Sequence, residues 1–339
     1  MPNIKAISYY LPEKILSNEE LVTEFPEWTV EKIASKVGVN NRHVVAENET
    51  ATDLAVKAAE KLFEENTNIN REEIDFVVLC TQSPDYFLPT SACIIQNQLG
   101  LRTDIGAFDF NLGCSGYIYG LAIAKGLISG GIASNVLLLT AETYTRHLHP
   151  RDKGNRTIFG DGATATIVSN EGWAEIGEFS LGTDGKGAEN LIVKTGAMRN
   201  PHKKDDLTFD ENGNPLSSDY LFMNGAKIFT FTQKNVPIVV KETLAKNHKS
   251  LDDINLFIFH QANSYMLEFL RNKIKIPQEK FIINMAEIGN TVSNSIPIAL
   301  ADAYSQGIIS SSLRGKEGGN ILLCGFGIGY SWGGCMLKI

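Results

Sequence analysis

The segment Glu73-Ile-Asp-Phe-Val-Val-Leu-Cys-Thr-Gln82 has a counterpart in the second half of the chain, Asp253-Ile-Asn-Leu-Phe-Ile-Phe-His-Gln-Ala262. Each is a nearly continuous apolar run behind an acidic turn, the pattern of a strand buried on both faces. Each also follows an amphipathic helical pattern, over residues 52–66 and 236–247. A second pair is Asn135-Val-Leu-Leu-Leu-Thr140 and Asn320-Ile-Leu-Leu-Cys-Gly325. Ile74 is separated from Ile254 by 180 residues and Val136 from Ile321 by 185, so the two offsets agree closely. One strand–helix unit used twice fits this spacing better than two unrelated domains. The alternation predicts an α/β protein with mixed, largely buried sheets. The boundary falls near Gly172, after a strand over residues 163–168, and gives halves 1–171 and 172–339. The polar stretch 198–219, with Gly213 and Pro215, reads as a surface loop or flap, and 220–232 opens a new apolar helix.

A chain of 339 residues suits two cores rather than one. Its 43% apolar and 21% charged residues are those of a soluble globular protein. A formal net charge of −8 and the absence of any long Lys/Arg run argue against nucleic-acid binding. Five cysteines, none in a C-x-x-C pair, support neither a zinc ribbon nor a thioredoxin-type site. Mostly buried free thiols in a reducing cytosol are the simplest account, so a cytoplasmic protein is expected. The first residues lack a signal-peptide pattern, and no apolar run reaches the length of a membrane helix.

Cys114 lies in Asp109-Phe-Asn-Leu-Gly-Cys-Ser-Gly116, ahead of a small-residue helix expected over 117–128. Gly113 and Gly116 permit a tight strand-to-helix turn. A cysteine at a helix start sees the positive end of the dipole, which predicts a lowered thiol pKa. A thiolate attacks a thioester better than a serine hydroxyl does. Taken alone, Cys114 also reads as a buried small residue. For Cys80, Cys93, Cys324 and Cys335, in apolar contexts, the structural reading prevails.

His260 ends the apolar strand 256–259, and strand ends in α/β proteins face the functional crevice. Asn290 follows Gly289 in Gly-Asn-Thr-Val-Ser-Asn-Ser. Alone, one reads as a core histidine and the other as a turn asparagine. Together, imidazole and carboxamide supply two neutral donors for a thioester oxygen as a malonyl unit loses carbon dioxide and becomes an enolate. No metal or redox cofactor is needed. The pair His147 and His149 has no third ligand at suggestive spacing. Gly325-Phe-Gly-Ile-Gly-Tyr-Ser-Trp-Gly-Gly334 misplaces the third glycine of a dinucleotide motif and reads better as a turn offering N–H donors to an oxyanion. Phe159-Gly-Asp-Gly162 reads as a tight turn into a strand.

In order along the chain, the Cys114 motif, Phe159-Gly-Asp-Gly162, His260-Gln-Ala-Asn263, Gly289-Asn-Thr291 with Pro297, and Gly327-x-Gly-x-Ser-Trp-Gly333 resemble the β-ketoacyl-acyl-carrier-protein synthase III family of the thiolase superfamily. The resemblance implies a thiolase-like fold of two pseudo-repeated halves in a five-layered αβαβα arrangement, and a homodimer. It implies a ping-pong reaction without cofactor or metal, in which acyl-CoA acylates Cys114 and malonyl acyl carrier protein then condenses with it. Cys114 would be the nucleophile, and His260 and Asn290 the decarboxylation pair. The backbone N–H groups of Cys114 and Ile328 would form the oxyanion hole. Trp28 and Lys153 would bracket the CoA adenine. Gly225, Phe229 and Asn263 would line the approach of the CoA arm. Phe87 and Leu88 would close the acyl pocket of the neighbouring subunit.

Four positions depart from the family pattern. Lys153 stands where an arginine is usual and stacks less well. Tyr265 replaces an arginine used in carrier docking, and Thr230 replaces a basic residue, although Lys227 is near. The nucleophile motif reads Asn-Leu-Gly-Cys instead of an alanine-rich form. These changes motivate an alternative, acyl transfer to an alcohol or amine without condensation. A catalytically silent binding subunit fits less well, because the Cys–His–Asn set is complete. Thiolase chemistry lacks its second cysteine in the glycine loop, and for the glutamate base of a hydroxymethylglutaryl-CoA synthase neither Glu142 nor Glu287 has a supporting pattern.

Overall fold

The computed structural model describes residues 1–211, 213–312 and 318–339. The strands, in chain order, are β1 (Asn3–Tyr10), β2 (Ile15–Ser17), β3 (Asn41–His43), β4 (Phe76–Cys80), β5 (Gly106–Phe110), β6 (Asn135–Glu142), β7 (Gly162–Ser169) and β8 (Ala174–Thr183). They continue with β9 (Leu191–Ile192), β10 (Thr208–Phe209), β11 (Pro215–Leu216), β12 (Phe222–Met223), β13 (Leu256–Phe259), β14 (Phe281–Ile282), β15 (Asn320–Gly327) and β16 (Ser331–Lys338). The helices are α1 (Asn18–Glu24), α2 (Val30–Val37), α3 (Ala51–Glu65), α4 (Ser91–Gln98), α5 (Gly116–Ser129), α6 (Lys153–Arg156), α7 (Gly225–Lys246), α8 (Ser264–Ile274) and α9 (Ser295–Ser305), followed by a short turn of helix at Ile308–Ser312.

Ten strands hydrogen-bond in the order β14-β13-β15-β16-β8-β1-β7-β6-β4-β5. The junction in the middle is slight: β1 and β8 pair only at Asn3 with Glu175 and Ile4 with Ala174. On either side of it the order is the same, β5-β4-β6-β7-β1 against β14-β13-β15-β16-β8. The directions match too. β4 is parallel to β5 and β6, with β6–β7 and β7–β1 antiparallel. β13 is parallel to β14 and β15, with β15–β16 and β16–β8 antiparallel. The paired apolar runs of the sequence are thus β4 and β13, and β6 and β15, in equivalent places.

Side chains alternate across these strands, as the pleat requires. Val78, Val136 and Leu138 point into a central core shared with Leu256, Ile258, Ile321 and Leu323 of the other half. Val77, Leu79, Leu137 and Leu139 face the outer helix α3. Phe257, Phe259, Leu322 and Cys324 face α7 and α8. Helices α5 and α9 fill the central layer, which gives five layers, αβαβα. Small residues let α5 approach: a Cβ at Gly120 would lie 2.6 Å from a Leu138 methyl.

Local signals set the helix ends. Thr50 and Asp53 form a capping box on α3, and Asn263 caps α8 through Met266 N–H. The two helical patterns at 220–232 and 236–247 are one helix, α7, which runs through Pro237. Burial of Phe231, Val236, Val239 and Val240 against β8, β15 and β16 holds it across the proline. The 198–219 stretch carries the small ribbon β10–β11 and packs on 147–151. Leu221 N–H donates to His147 C=O at 2.8 Å, and Arg151 lies over the Phe209 ring. Cys93, expected among the inert apolar cysteines, is exposed on α4, whereas Cys80, Cys324 and Cys335 are buried. No helix among the described residues is long and apolar enough to cross a membrane.

Candidate active site

Cys114 lies between the end of β5 and the start of α5, where Gly113 C=O accepts from Gly116 N–H at 2.7 Å to make the tight turn. Glycines crowd it on all sides. A Cβ at Gly113 would lie 2.6 Å from the Gln82 side-chain oxygen, and one at Gly116 2.3 Å from the Cys80 sulfur. A Cβ at Gly325 would lie 2.8 Å from Ser115 Cα. The turn after β15 is tied to the neighbour of Cys114: Ser331 Oγ donates to Ile328 C=O at 3.1 Å and lies 2.6 Å from Ser115 Oγ. The backbone of Ile328 is thereby held beside that of Cys114.

His260 follows β13, its own N–H bonded to Cys324 C=O, so the end of the parallel pair β13–β15 aims it at the same place. Asn290 comes from the loop before α9. That loop is pinned to the Phe159-Gly-Asp-Gly turn, with Asn290 N–H donating to Ile158 C=O and Gly160 N–H to Asn290 C=O. Gly289 has φ +71, and a Cβ there would lie 2.8 Å from Ile158 C=O, so only glycine permits this contact.

These three side chains share one cavity, walled by Tyr144, Phe159, Leu191, Met223, Met266 and Phe326. Its volume is about 60 Å³, far below the roughly 300–1,000 Å³ of drug-sized sites. The carboxamide of Asn290 is oriented: its oxygen accepts from Val292 N–H at 2.9 Å, so its NH2 group donates, to Ala262 C=O at 3.3 Å and into the cavity. Val292 has φ +57, a strained conformation for a β-branched residue. His260 Nδ1 lies 2.7 Å from Ser295 Oγ.

Burial dominates the electrostatics. It lowers the His260 imidazole to about 3, against a smaller opposing effect of the Val292 carbonyl, so the ring is neutral. Burial, with the nearby Glu142 carboxyl second, pushes the Cys114 thiol up to about 12. This corrects the expectation of a lowered pKa: at so buried a sulfur desolvation outweighs the helix end. Glu142 is itself fully buried and pushed up to about 8, opposed by hydrogen bonds from Gln82 N–H and Ser293 Oγ. Asp161, raised to about 6 by burial, receives Val45 N–H and Thr145 N–H and so fixes the Phe159 turn. Glu142 had no sequence pattern to mark it; Asp161 lies within the Phe159-Gly-Asp-Gly162 motif and Val292 and Ser295 within Gly289-Asn-Thr-Val-Ser-Asn-Ser295, where sequence reasoning gave them no role of their own.

The remaining expected site residues lie further out. Asn263 reaches the cavity wall while capping α8. Gly225 is exposed at the start of α7, and Ile228, rather than Phe229, lines the cavity. Phe229 stacks on Tyr265, which is 65% exposed. Trp28 carries Lys32 and Lys36 at 5.0 and 5.9 Å from its ring, while the Lys153 ammonium pairs with Glu27. Phe87 and Leu88 are 71% and 82% exposed and do not reach this chain's own cavity. His147 and His149 join no cluster of three metal-ligating side chains among the described residues.

The sequence patterns described as 3-oxoacyl-[acyl-carrier-protein (ACP)] synthase III and its C-terminal part match residues 108–185 and 244–339. A β-ketoacyl-[acyl-carrier-protein] synthase III of Clostridium perfringens is 36% identical, with 100% of each chain covered. The chain belongs to the β-ketoacyl-[acyl-carrier-protein] synthase III family. A crystal structure of a 3-oxoacyl-(acyl-carrier-protein) synthase III has a TM-score of 0.94 at 46% identity, over 100% of this chain and 99% of that one. The synthase III of Pseudomonas aeruginosa PAO1 has a TM-score of 0.84 at 30% identity, over 99% and 98%. The five-layered fold and the acyltransferase class of this synthase III family member therefore stand, and the motifs that carried the resemblance lie around one cavity.

Proposed function

We propose that the protein is a β-ketoacyl-acyl-carrier-protein synthase III that transfers an acyl group from acyl-CoA to Cys114 and condenses it with malonyl acyl carrier protein. The observation that carries this reading is the convergence of Cys114, His260 and Asn290 on one narrow cavity, with the Asn290 amide already turned to donate. Cys114 is the nucleophile. The Cys114 and Ile328 N–H groups receive the oxyanion, supported by the Ser115–Ser331 brace between their loops. Asn290 and His260 serve the extender's thioester oxygen as carbon dioxide leaves.

The CoA arm is assigned to the side bearing Trp28, Lys153, Gly225, Phe229 and Asn263. Here Lys32 and Lys36 replace the usual stacking partner as the cations on the Trp28 ring. A homodimer is part of the reading, supported by the exposed Tyr86, Phe87 and Leu88 and by the outer edge of β5, unpaired among the described residues. So is the division at 1–171 and 172–339, supported by the repeated strand order around the slight β1–β8 junction. The absence of a cofactor or metal requirement and a cytoplasmic location complete it.

The test is intact-protein mass spectrometry with a panel of acyl-CoAs, followed by malonyl carrier protein. A mass gain on Cys114 that is discharged as a β-ketoacyl product with carbon dioxide is the expected result. A gain that malonyl donors cannot discharge, but an alcohol or amine can, would replace condensation by simple acyl transfer.

A further inference from the structure

Cys114, His260, Asn263, Asn290 and Tyr144 are the residues with polar side chains that line the cavity. His260, Asn263 and Asn290 each have a hydrogen-bond partner, and Cys114 is the reacting group. The Tyr144 hydroxyl has none among the described residues, although the residue is only 3% exposed. Nor is it sealed in packed atoms, as the unpartnered Thr291 hydroxyl is: it keeps open surface, and the open space beside it is the cavity. The ring is held in place. It stands edge-on to His147 with centroids 5.5 Å apart and tilted on Phe159 at 4.9 Å. The next residue is fixed in turn, with Thr145 N–H donating to Asp161 at 2.9 Å. Burial, then Cys114, then Glu142 raise the phenol well above the ordinary tyrosine range, so it keeps its hydrogen and its polar end lies toward Cys114. Around the two residues, Leu148, Phe159, Leu191, Leu221 and Val292 offer only hydrocarbon. A buried hydroxyl in such a wall is costly until something in the cavity pairs with it.

We propose that this end of the cavity is a subsite for a short acyl group carrying an uncharged oxygen, a hydroxyl or keto group, which the Tyr144 hydroxyl binds. This rests on the acyl-transfer reading above and adds to it the class of acyl group and the residue that selects it. Size sets one limit. A cavity of about 60 Å³, at roughly 10–15 Å³ for each water-sized group, admits about four to six heavy atoms. Charge sets another. No lysine or arginine is among the described residues that line the cavity, so a chain ending in a carboxylate would be buried without a counter-ion. A plain hydrocarbon chain of the same size fills the space but leaves the phenol hydroxyl without a partner. A hydroxyl or keto oxygen meets it, because a phenol both gives and takes a hydrogen bond.

The test has two arms, both read by mass spectrometry on the peptide bearing Cys114. In the first, 3-hydroxybutyryl-CoA competes with isovaleryl-CoA, which puts a methyl group where the other has its hydroxyl. Wild type is expected to take the hydroxylated group about 10-fold faster, and Tyr144→Phe to lose that preference. Equal or faster labelling by isovaleryl-CoA in wild type, or an unchanged ratio in Tyr144→Phe, overturns the proposal. The second arm needs no acyl transfer. The protein is equilibrated with bis(2-hydroxyethyl) disulfide and dipropyl disulfide, so that the cysteine sulfur bonds to one half of the reagent and the other half leaves as a thiol. The exposed Cys93 reports the preference in water. Relative to Cys93, Cys114 is expected to favour the hydroxyethyl group in wild type and the propyl group in Tyr144→Phe; a wild-type Cys114 that favours propyl overturns the proposal. Should Tyr144→Phe not fold, the wild-type ratios decide alone. Retention of the hydroxyethyl group in a protein that takes neither acyl group would refute the acyl-transfer reading and leave the polar subsite standing.

Discussion

Gly327 faces Cys114 so closely that a Cβ at position 327 would lie 3.0 Å from the thiol sulfur and 2.8 Å from the cysteine Cβ. No side chain fits there without displacing Cys114. Gly327→Ala is therefore expected to slow acylation of Cys114 about 100-fold, as a displacement on the order of 1 Å does at a reacting centre. The overpacking is expected to cost about 1–3 kcal/mol of stability. Time-resolved mass gain and a denaturant titration check the two effects separately. Wild-type acylation in a folded Gly327→Ala protein would show that the thiol reacts from another position.

The Ser115–Ser331 hydrogen bond joins the turn at Cys114 to the turn that holds Ile328. Removing either hydroxyl loosens the same brace. Ser115→Ala and Ser331→Ala are each expected to slow acylation about 10-fold, equivalent to roughly 1.4 kcal/mol. The double variant is expected to be no slower than either single one, because the two groups form one interaction. A double-mutant cycle on the acylation rate measures this, and strict additivity would remove the brace from the argument.

The Asn290 amide is turned by Val292 N–H so that it donates into the cavity, and it takes no part in ionising the thiol. Asn290→Ala is expected to leave the acylation rate within a few-fold of wild type and to cut condensation roughly 10²- to 10³-fold, the cost of losing one oxyanion donor. Single-turnover assays of each half-reaction separate them. Equal loss in both halves would mean that the variant has disturbed the Phe159 turn instead.

Glu142 is raised from 4.5 to about 8 by burial. Between those values the folded protein keeps a proton that the unfolded chain has released. The folded state thus binds more protons, and stability falls as pH rises through that window. Asp161, raised to about 6, acts in the same direction below that pH. Glu142→Gln removes only the first contribution, so its Tm is expected to fall less steeply than that of wild type across the window. Melting curves at stepped pH values measure the difference. Parallel profiles would place the ionisation elsewhere.

Much of this architecture was legible in the chain because it is written locally. Val77, Val78 and Leu79 show a strand buried on both faces, whichever helices cover it, and the same run at 256–259 shows the repeat. Glycines at 113, 289 and 327 mark places where backbone or side chain must pass at close range, and they bracket the chemistry without help from the fold. The sequence by itself thus determined the α/β architecture and set Cys114, His260 and Asn290 in the motifs that the fold brings to one cavity. Tertiary structure decided the rest. Helix α7 crosses Pro237 because burial outweighs a local break. The thiol rises instead of falling because burial desolvates it, a property of the whole enclosure and of no single residue. Ser295, Val292 and Glu142 acquire their meaning only when a loop near residue 292 meets a strand end at 260 and another at 142, since a hydrogen bond depends on distances that sequence spacing does not encode.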